Sequence, residues 1–178
     1  MKNKIQEQAA RQPFSRINMK YAEQFEVGNI AHEEFKRIAK SKGYSVKDSS
    51  KEQDIYDHID MFISKSDVIV SLDIKAMKKL SRSDSTSQDR YVYVEFKNVL
   101  GREGWLYGKA DCIVFETKKS FIIVGRKNLA KYCEQSVEKK FVKNAYDAAY
   151  KLYTRQGRKD LISLIELNKI PDTLVWYK

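Results

Sequence analysis

Two aspartates and a lysine in neighbouring extended segments have the types and spacing of a metal-dependent hydrolytic site. Asp60 lies in the first segment, and Asp73 and Lys75 occupy alternate positions of the second. Paired carboxylates suit a hard cation such as Mg²⁺, which takes oxygen ligands and keeps several waters. A lysine beside them could orient a metal-bound water or hold a phosphate oxygen. These residues therefore predict hydrolysis of a phosphodiester.

A hairpin register is predicted to bring the two aspartates together. A turn at residues 66–67 puts three apolar pairs on one face and Asp60 opposite Asp73 on the other. The Cβ atoms of such a pair lie about 5 Å apart, so two like charges are destabilising unless a cation lies between them. The predicted apolar pairs are Ile59 with Ile74, Met61 with Leu72, and Ile63 with Val70.

The segment before the hairpin is predicted to be a helix that carries a third acid. Apolar residues recur at three- and four-residue steps over residues 18–42, and Gly28 could divide this stretch into two helices. Glu34 lies in the apolar stripe, where a carboxylate without a partner costs several kcal/mol. We therefore expect Glu34 to reach a metal or a lysine at the sheet, with Glu33 as its competitor.

A second acid-x-lysine pair follows in a later predicted strand. Glu95 and Lys97 share one face of residues 91–97, with Asp73 as the upstream acid. Two assignments remain open: this pair could be the functional one, or Glu95 could join Asp60 and Asp73 as a further ligand. The hairpin register favours Asp73 with Lys75, because it assumes no long loop.

The elements that must hold these residues predict an α+β fold with a mixed central sheet flanked by helices. Residues 1–17 are expected to be a mobile arm, and residues 18–178 a single domain with its core at about 18–134. The remaining part, 135–178, is expected to be helical. Strands are predicted at 55–64, 68–75, 91–97 and 112–124, with a short one near 44–47, and helices at 128–134, 137–155 and 161–167.

The charge of the chain favours a polyanionic partner. It has 34 Lys and Arg against 24 Asp and Glu, for a net charge of +10. Nucleic acid is the partner that such a balance favours. The residues predicted to contact it are Lys78, Lys79 and Arg82 beside the carboxylates, and Arg102, Trp105 and Lys109 in a glycine-rich segment. For Trp105, a buried position in a tight connection is the alternative.

Several classes of protein are disfavoured by composition. No apolar run is long enough to span a membrane, and residues 1–16 lack the apolar core of a signal peptide. The two cysteines have no metal-ligand spacing, which argues against structural zinc. We therefore expect a cytoplasmic protein without a membrane partner.

The helix with its acid, the strand with Asp60 and the Asp73-x-Lys75 sequence together resemble the PD-(D/E)XK, or restriction-endonuclease-like, nuclease superfamily. The resemblance covers about residues 18–124, although Ile59 stands where the pattern has Pro and Asp73 where it often has Glu. The stretches DIKAMKK, YVYVEFKN and GWLYGKADCIVFE resemble small phage or bacterial Holliday-junction-resolvase-like nucleases.

This resemblance implies an αβββαβ core and a Mg²⁺-dependent DNA endonuclease, with branched or structured DNA as a candidate substrate. It implies that Asp60 and Asp73 hold Mg²⁺, for which Mn²⁺ would substitute, and that Lys75 and Glu34 complete the catalytic set. A homodimer is an expectation, because symmetric cleavage of two strands needs two sites related by a two-fold axis. The alternatives are a DNA-binding module without catalysis on the same fold and an RNA-processing nuclease.

Overall fold

The computed structural model describes residues 12–81 and 83–178. These residues form two sheets and two α-helices, joined by turns and loops. The fold is α+β with a mixed sheet, which confirms the predicted class. The helices are α1 (Gln12–Ser41) and α2 (Arg126–Ser136). The strands are β1 (Ser45–Asp48), β2 (Met61–Lys65), β3 (Val68–Lys75), β4 (Tyr91–Lys97), β5 (Cys112–Glu116), β6 (Ser120–Gly125), β7 (Glu138–Val142), β8 (Lys151–Tyr153), β9 (Leu161–Glu166) and β10 (Thr173–Tyr177).

The larger sheet holds the hairpin with the candidate acids near its centre. Its strand order is β1-β2-β3-β5-β6-β10. All neighbours are antiparallel except β3 and β5, which are parallel. Parallel neighbours need a long connection, and the chain between β3 and β5 forms β4 of the second sheet. Asp73 and Lys75 therefore lie where the two sheets come together.

The predicted hairpin register is confirmed. Met61 pairs with Leu72 and Ile63 with Val70. Met61, Ile63 and Leu72 are buried against α1, so one face of the hairpin is apolar as the alternation requires. Continuing the ladder by one residue places Asp60 opposite Asp73.

A matched pair of substitutions tests this register. Ile63→Val should lower the free energy of unfolding by about 1 kcal/mol, because it removes a buried methylene. Ile69→Val, the same change on the same hairpin, should have almost no effect, since Ile69 is 68% exposed and Ile63 only 5%. Urea unfolding followed by circular dichroism measures both. A larger loss at position 69 would contradict the register.

Helix α1 packs on the larger sheet through its C-terminal half. Phe35 is fully buried, stacks on Trp176 and meets Phe121 edge-to-face, in both cases with ring centroids 5.3 Å apart. The helix is continuous through Gly28, so the predicted division at that residue is wrong. It begins at Gln12, inside the segment 1–17 predicted as an arm, and residues 1–11 of that arm lie outside the described residues.

The C-terminal part, predicted to be helical over 135–178, instead forms four strands after the end of α2. Its strands β7, β8 and β9 join β4 in a second sheet of order β4-β9-β8-β7, and β10 completes the larger sheet. Periodicity misleads here because a short apolar run such as 161–167 does not distinguish a buried strand from a buried helix. The predicted helix at 128–134 is confirmed within α2. The strand expected from residue 55 begins only at Met61, after a single π-helical turn at Gln53–Asp57.

The two sheets face each other across a second apolar core. Val94 of β4 and Ile165 of β9 pack there with Ile113 and Phe115 of β5 and with Leu129 of α2. Across the larger sheet, α1 covers the opposite face. No α-helix of the described residues is long and apolar enough to cross a lipid bilayer.

Candidate active site

The backbone of the hairpin fixes the carboxylate of Asp60. The Asp60 backbone N–H donates to the Leu72 carbonyl at 2.8 Å, and its Oδ2 accepts from the backbone N–H of Ile74 at 2.6 Å. Asp60 is thus held by the strand that carries Asp73. One carboxylate of the pair is therefore positioned before any ligand binds.

Asp73 has an incompletely satisfied carboxylate inside the fold. Its residue surface is 2% exposed, and one oxygen, Oδ1, lies 2.6 Å from Lys75 Nζ. The other oxygen, Oδ2, is buried and has no hydrogen-bond partner among the described residues. Burial raises the pKa of Asp73 to about 6. The charge of Lys75 opposes this rise, and the nearby charge of Asp60 adds to it. Buried polar atoms are almost always hydrogen-bonded, so an unpaired carboxylate oxygen is a position that water, an ion or a substrate group can fill.

Lys75 lies between Asp73 and an aromatic ring. Its Nζ is 4.9 Å from the ring centroid of Trp105, within cation–π range. Trp105 itself is buried and packs edge-to-face on Phe115. The prediction that Trp105 is presented to nucleic acid is therefore wrong. The Trp105 ring packs against the Lys75 ammonium, because the connection after β4 folds back onto the sheet.

His32 of α1 joins the site, although sequence reasoning assigned it no role there. Its Nε2 lies 3.3 Å from Asp60 Oδ2. Burial opposes the charged imidazole, but the hydrogen bond and charge of Asp60 outweigh it and raise the pKa of His32. In return, this contact keeps the pKa of Asp60 below its usual value in spite of burial. The available signal was the position of His32 one residue after Ala31, at the edge of the buried stripe.

Neither helix acid reaches the carboxylate pair, so the placement predicted for Glu34 or Glu33 is wrong. Glu34 Oε1 accepts from Arg37 at 2.7 Å, and this hydrogen bond lowers the pKa of Glu34. Glu33 pairs with Lys36 on the exposed side of α1. On a helix, side chains three residues apart are neighbours. Each glutamate therefore finds its cation on the helix itself, and His32 is the residue that α1 directs at Asp60.

Glu95 belongs to the site region and Lys97 does not. Burial raises the pKa of Glu95, and the charges of Lys75, Arg155 and Lys78 offset part of that rise. Lys97 is exposed, and the pairing of β4 with β9 shifts register between Glu95 and Lys97. A bulge of this kind re-aims side chains, so residues two apart no longer share a face. The second acid-x-lysine pair is thereby divided, and Asp73 with Lys75 is the pair that meets.

Two glycines allow the connection after β4 to approach the site closely. A Cβ at Gly104 would lie 2.2 Å from the Glu95 carbonyl oxygen, and one at Gly108 would lie 2.9 Å from the Cβ of His58. Neither position has room for a side chain. The glycine-rich segment therefore packs closely along one side of the site. This packing places Trp105 against Lys75.

The residues predicted to contact nucleic acid fall into two groups, one after β3 and one in the glycine-rich segment. Lys78 and Lys79 are exposed beside the end of β3, and the Lys78 backbone pairs with Gln88. Two effects lower the pKa of Lys78: neighbouring protein groups displace water from around its ammonium, and the charge of Lys75 repels it. No site role was expected for Arg155, which follows β8 and whose charge acts on both Lys78 and Glu95.

Two of the other predicted contacts lie on the surface of the glycine-rich segment. Arg102 is exposed. Lys109 forms an ion pair with Asp57 at 2.8 Å while remaining largely exposed. Arg82 lies outside the described residues. Of the cations of the described chain, Lys75, Lys78 and Arg155 are thus the ones whose charges act within the site, and positive charge of this kind favours a polyanion.

The carboxylates could supply part of a cation site. No group of three or more His, Cys, Asp or Glu within residues 12–81 and 83–178 is arranged to hold a metal ion. Mg²⁺ is commonly bound through only one or two protein carboxylates, with water and substrate phosphate as its other ligands. Asp60 and the unpaired oxygen of Asp73 fit that smaller requirement.

Comparisons of this chain with protein-family models, with curated proteins and with solved structures found no match. Its function is therefore inferred from the carboxylate pair, Lys75 and the nearby charges of Lys78 and Arg155.

Proposed function

We propose that this protein is a Mg²⁺-dependent nuclease that hydrolyses phosphodiester bonds in DNA. The observation that carries the proposal is the buried Oδ2 of Asp73, which lacks a hydrogen-bond partner. It lies in the same site as Asp60 and Lys75. A carboxylate buried without full compensation is costly, and sites that keep such a cost are often functional.

Asp60 and Asp73 would hold the divalent ion. When bound, Mg²⁺ would act as the Lewis acid for phosphoryl chemistry. The hydrogen bonds from Ile74 and His32 keep the Asp60 carboxylate oriented and ionised. Asp73 offers the free oxygen, and its other oxygen keeps Lys75 close.

Lys75 would act on the substrate rather than on the metal. Its ammonium has three donors, of which Asp73 takes one. The others could bind a phosphate oxygen or orient the attacking water. The Trp105 ring below the ammonium limits the directions in which Lys75 can turn. The chain would thereby place a fixed positive charge where negative charge develops on the phosphate.

The topology supports part of the restriction-endonuclease-like core expected from the sequence. Helix α1 is followed by the antiparallel β1, β2 and β3, and β5 lies parallel to β3. The described chain between β3 and β5 forms β4 and a short 3₁₀ turn at Trp105–Tyr107, where the expected core has a helix. The proposed core is thus an αβββ unit with β4, the first strand of the second sheet, inserted before β5.

Cleavage assays on defined DNA test the proposal. Purified protein with Mg²⁺ or Mn²⁺ should cut linear, supercoiled or branched DNA, and EDTA should stop the reaction. If every substrate stays intact while the protein still shifts DNA in a gel, the nuclease proposal fails and a binding module remains. Preferential cutting of a matched RNA competitor would instead support the RNA-processing alternative.

The non-catalytic alternative also has a specific observation in its favour. Asp73 with Lys75, and Asp60 with His32, already form ion pairs without a metal. These pairs could be structural, with the net charge of +10 alone binding DNA. The unpaired Oδ2 favours the metal site, because an ionised Asp73 in a purely structural pair gains nothing from leaving it unsatisfied.

The affinity for Mg²⁺ should depend on pH. Metal ligands must be deprotonated, and the pKa of Asp73 is raised to about 6. The affinity should therefore be nearly constant above pH 6 and should fall about tenfold for each pH unit below it, since a proton then competes for Asp73. Calorimetric Mg²⁺ titrations across this range measure the effect. An affinity that rises as the pH falls would contradict it.

A further inference from the structure

One sheet edge lacks the protection that the other edges carry. The edge strands are β1 and β10 in the larger sheet and β4 and β7 in the smaller one. Charged residues within an edge strand discourage pairing with another chain. Strands β1, β4 and β7 all contain them, whereas β10 has the sequence TLVWY without a charge. Among the described residues, β10 is therefore the edge suited to further pairing.

Three of the four exposed side chains of β10 are large hydrophobic ones. Leu174 is 54% exposed, Val175 40% and Tyr177 73%. Trp176, between them, is buried against α1. An edge strand that is both uncharged and apolar is costly to leave in water.

The free backbone groups of β10 can be identified from its pairing with β6. The Lys178 backbone N–H donates to the Lys119 carbonyl at 3.0 Å. Hydrogen-bonding groups alternate along an antiparallel ladder. Leu174 and Trp176 therefore direct their backbone groups at β6, and Thr173, Val175 and Tyr177 direct theirs outward.

We propose that β10 pairs with β10 of a second copy of this chain, antiparallel and centred on Val175, so that the two larger sheets form one continuous sheet. A two-fold axis at Val175 pairs this residue with its own copy and Thr173 with Tyr177. These residues all have outward backbone groups, so one register satisfies the whole strand.

The side chains and charges agree with the same register. Leu174 lies opposite Trp176 of the partner subunit, which gives the exposed leucine an apolar cross-strand neighbour. Asp172 and Lys178 flank the strand with opposite charges, and antiparallel pairing brings Asp172 to Lys178 of the partner subunit. Lys178 also binds Glu116 within its own chain. A self-complementary patch of this kind closes as a dimer and leaves no open edge of β10 for a third copy.

Sedimentation velocity over a concentration series tests the dimer. The wild-type protein should sediment as twice its 20.8 kDa chain. Val175→Lys places two like charges at the axis and should weaken dimerisation at least ~100-fold. Phe141→Lys, which likewise introduces a lysine at an exposed apolar position of edge strand β7, should leave the dimer intact. Circular dichroism confirms that each variant is folded.

Two further variants establish the register itself. Val175→Glu should be monomeric alone but should form a heterodimer when mixed with Val175→Lys. Val175→Cys should give a disulfide-linked dimer when diamide oxidises the two thiols, because paired Cα atoms about 5.5 Å apart are within disulfide range. A wild-type protein that is monomeric at every concentration, or a Val175→Lys protein that dimerises like wild type, would overturn the proposal. Neither result depends on nuclease activity.

Discussion

Asp73→Asn should reduce DNA cleavage by about 10³-fold or more, the rate equivalent of the several kcal/mol that a metal ion supplies. The substitution preserves the shape of the side chain but removes its charge, and with it the unpaired oxygen's ability to ligate a cation. DNA binding should stay the same or become tighter, because the substitution removes a negative charge from a basic region of the protein. Single-turnover cleavage and gel-shift titration measure the two effects.

The stability of Asp73→Asn separates loss of catalysis from misfolding. In the folded protein burial raises the pKa of Asp73 to about 6, from its ordinary value of 3.8. A raised carboxyl pKa means that stability is lost as the pH rises between those two values, by about 3 kcal/mol in total. The amide avoids that loss, so the free energy of unfolding at neutral pH should not be lower than in wild type.

A matched carboxylate gives the control for this experiment. Asp48→Asn, at an exposed position that pairs with Lys36, should keep full cleavage activity. Equal loss of cleavage and DNA binding in Asp73→Asn, or a large fall in its stability, would indicate a structural role for Asp73. The metal-site proposal would then be wrong.

Lys75→Met should reduce cleavage by about 10²-fold or more, the usual cost of removing one preorganised donor from an active site. Methionine fills much of the same space over Trp105 but carries no charge. Asp73 then loses the cation at 2.6 Å and is expected to take up a proton at a higher pH than in wild type. Cleavage should fall at every Mg²⁺ concentration, whereas DNA binding should weaken only slightly.

The stability of Lys75→Met should depend on pH in a defined direction. Below the pKa of Asp73 the carboxyl is neutral and the loss of Lys75 costs little. As the pH rises, an ionised Asp73 has no nearby ammonium, so the variant should lose stability relative to wild type. The double variant Lys75→Met with Asp73→Asn should regain it, and this coupling can be measured in a double-mutant cycle.

An exposed lysine provides the reference for that series. Lys47→Met, on edge strand β1, should change the free energy of unfolding by less than about 0.5 kcal/mol. If Lys75→Met destabilises the protein equally at all pH values and the second substitution restores nothing, Lys75 and Asp73 are not coupled. The ion pair would then have no part in the chemistry.

The amino-acid sequence by itself determined the β2–β3 hairpin and the meeting of Asp60 with Asp73. Strand side chains alternate with a period of two, and only one register buries Met61, Ile63 and Leu72 together. The contrast between the apolar and polar faces is local, so it can be read without knowing what packs on the hairpin. The α+β class follows from similar local patterns.

Tertiary structure alone decided which other side chains complete the site. His32, and not Glu34, contacts Asp60 because of the way α1 packs on the sheet. Glu34 instead pairs with Arg37. The separation of Glu95 from Lys97 depends on a bulge that arises only when β4 pairs with β9. The C-terminal strands were misassigned for the same reason: a short apolar segment such as Leu161–Glu166 fits a helix or a strand equally well, and its partner strands in the second sheet determine which one forms.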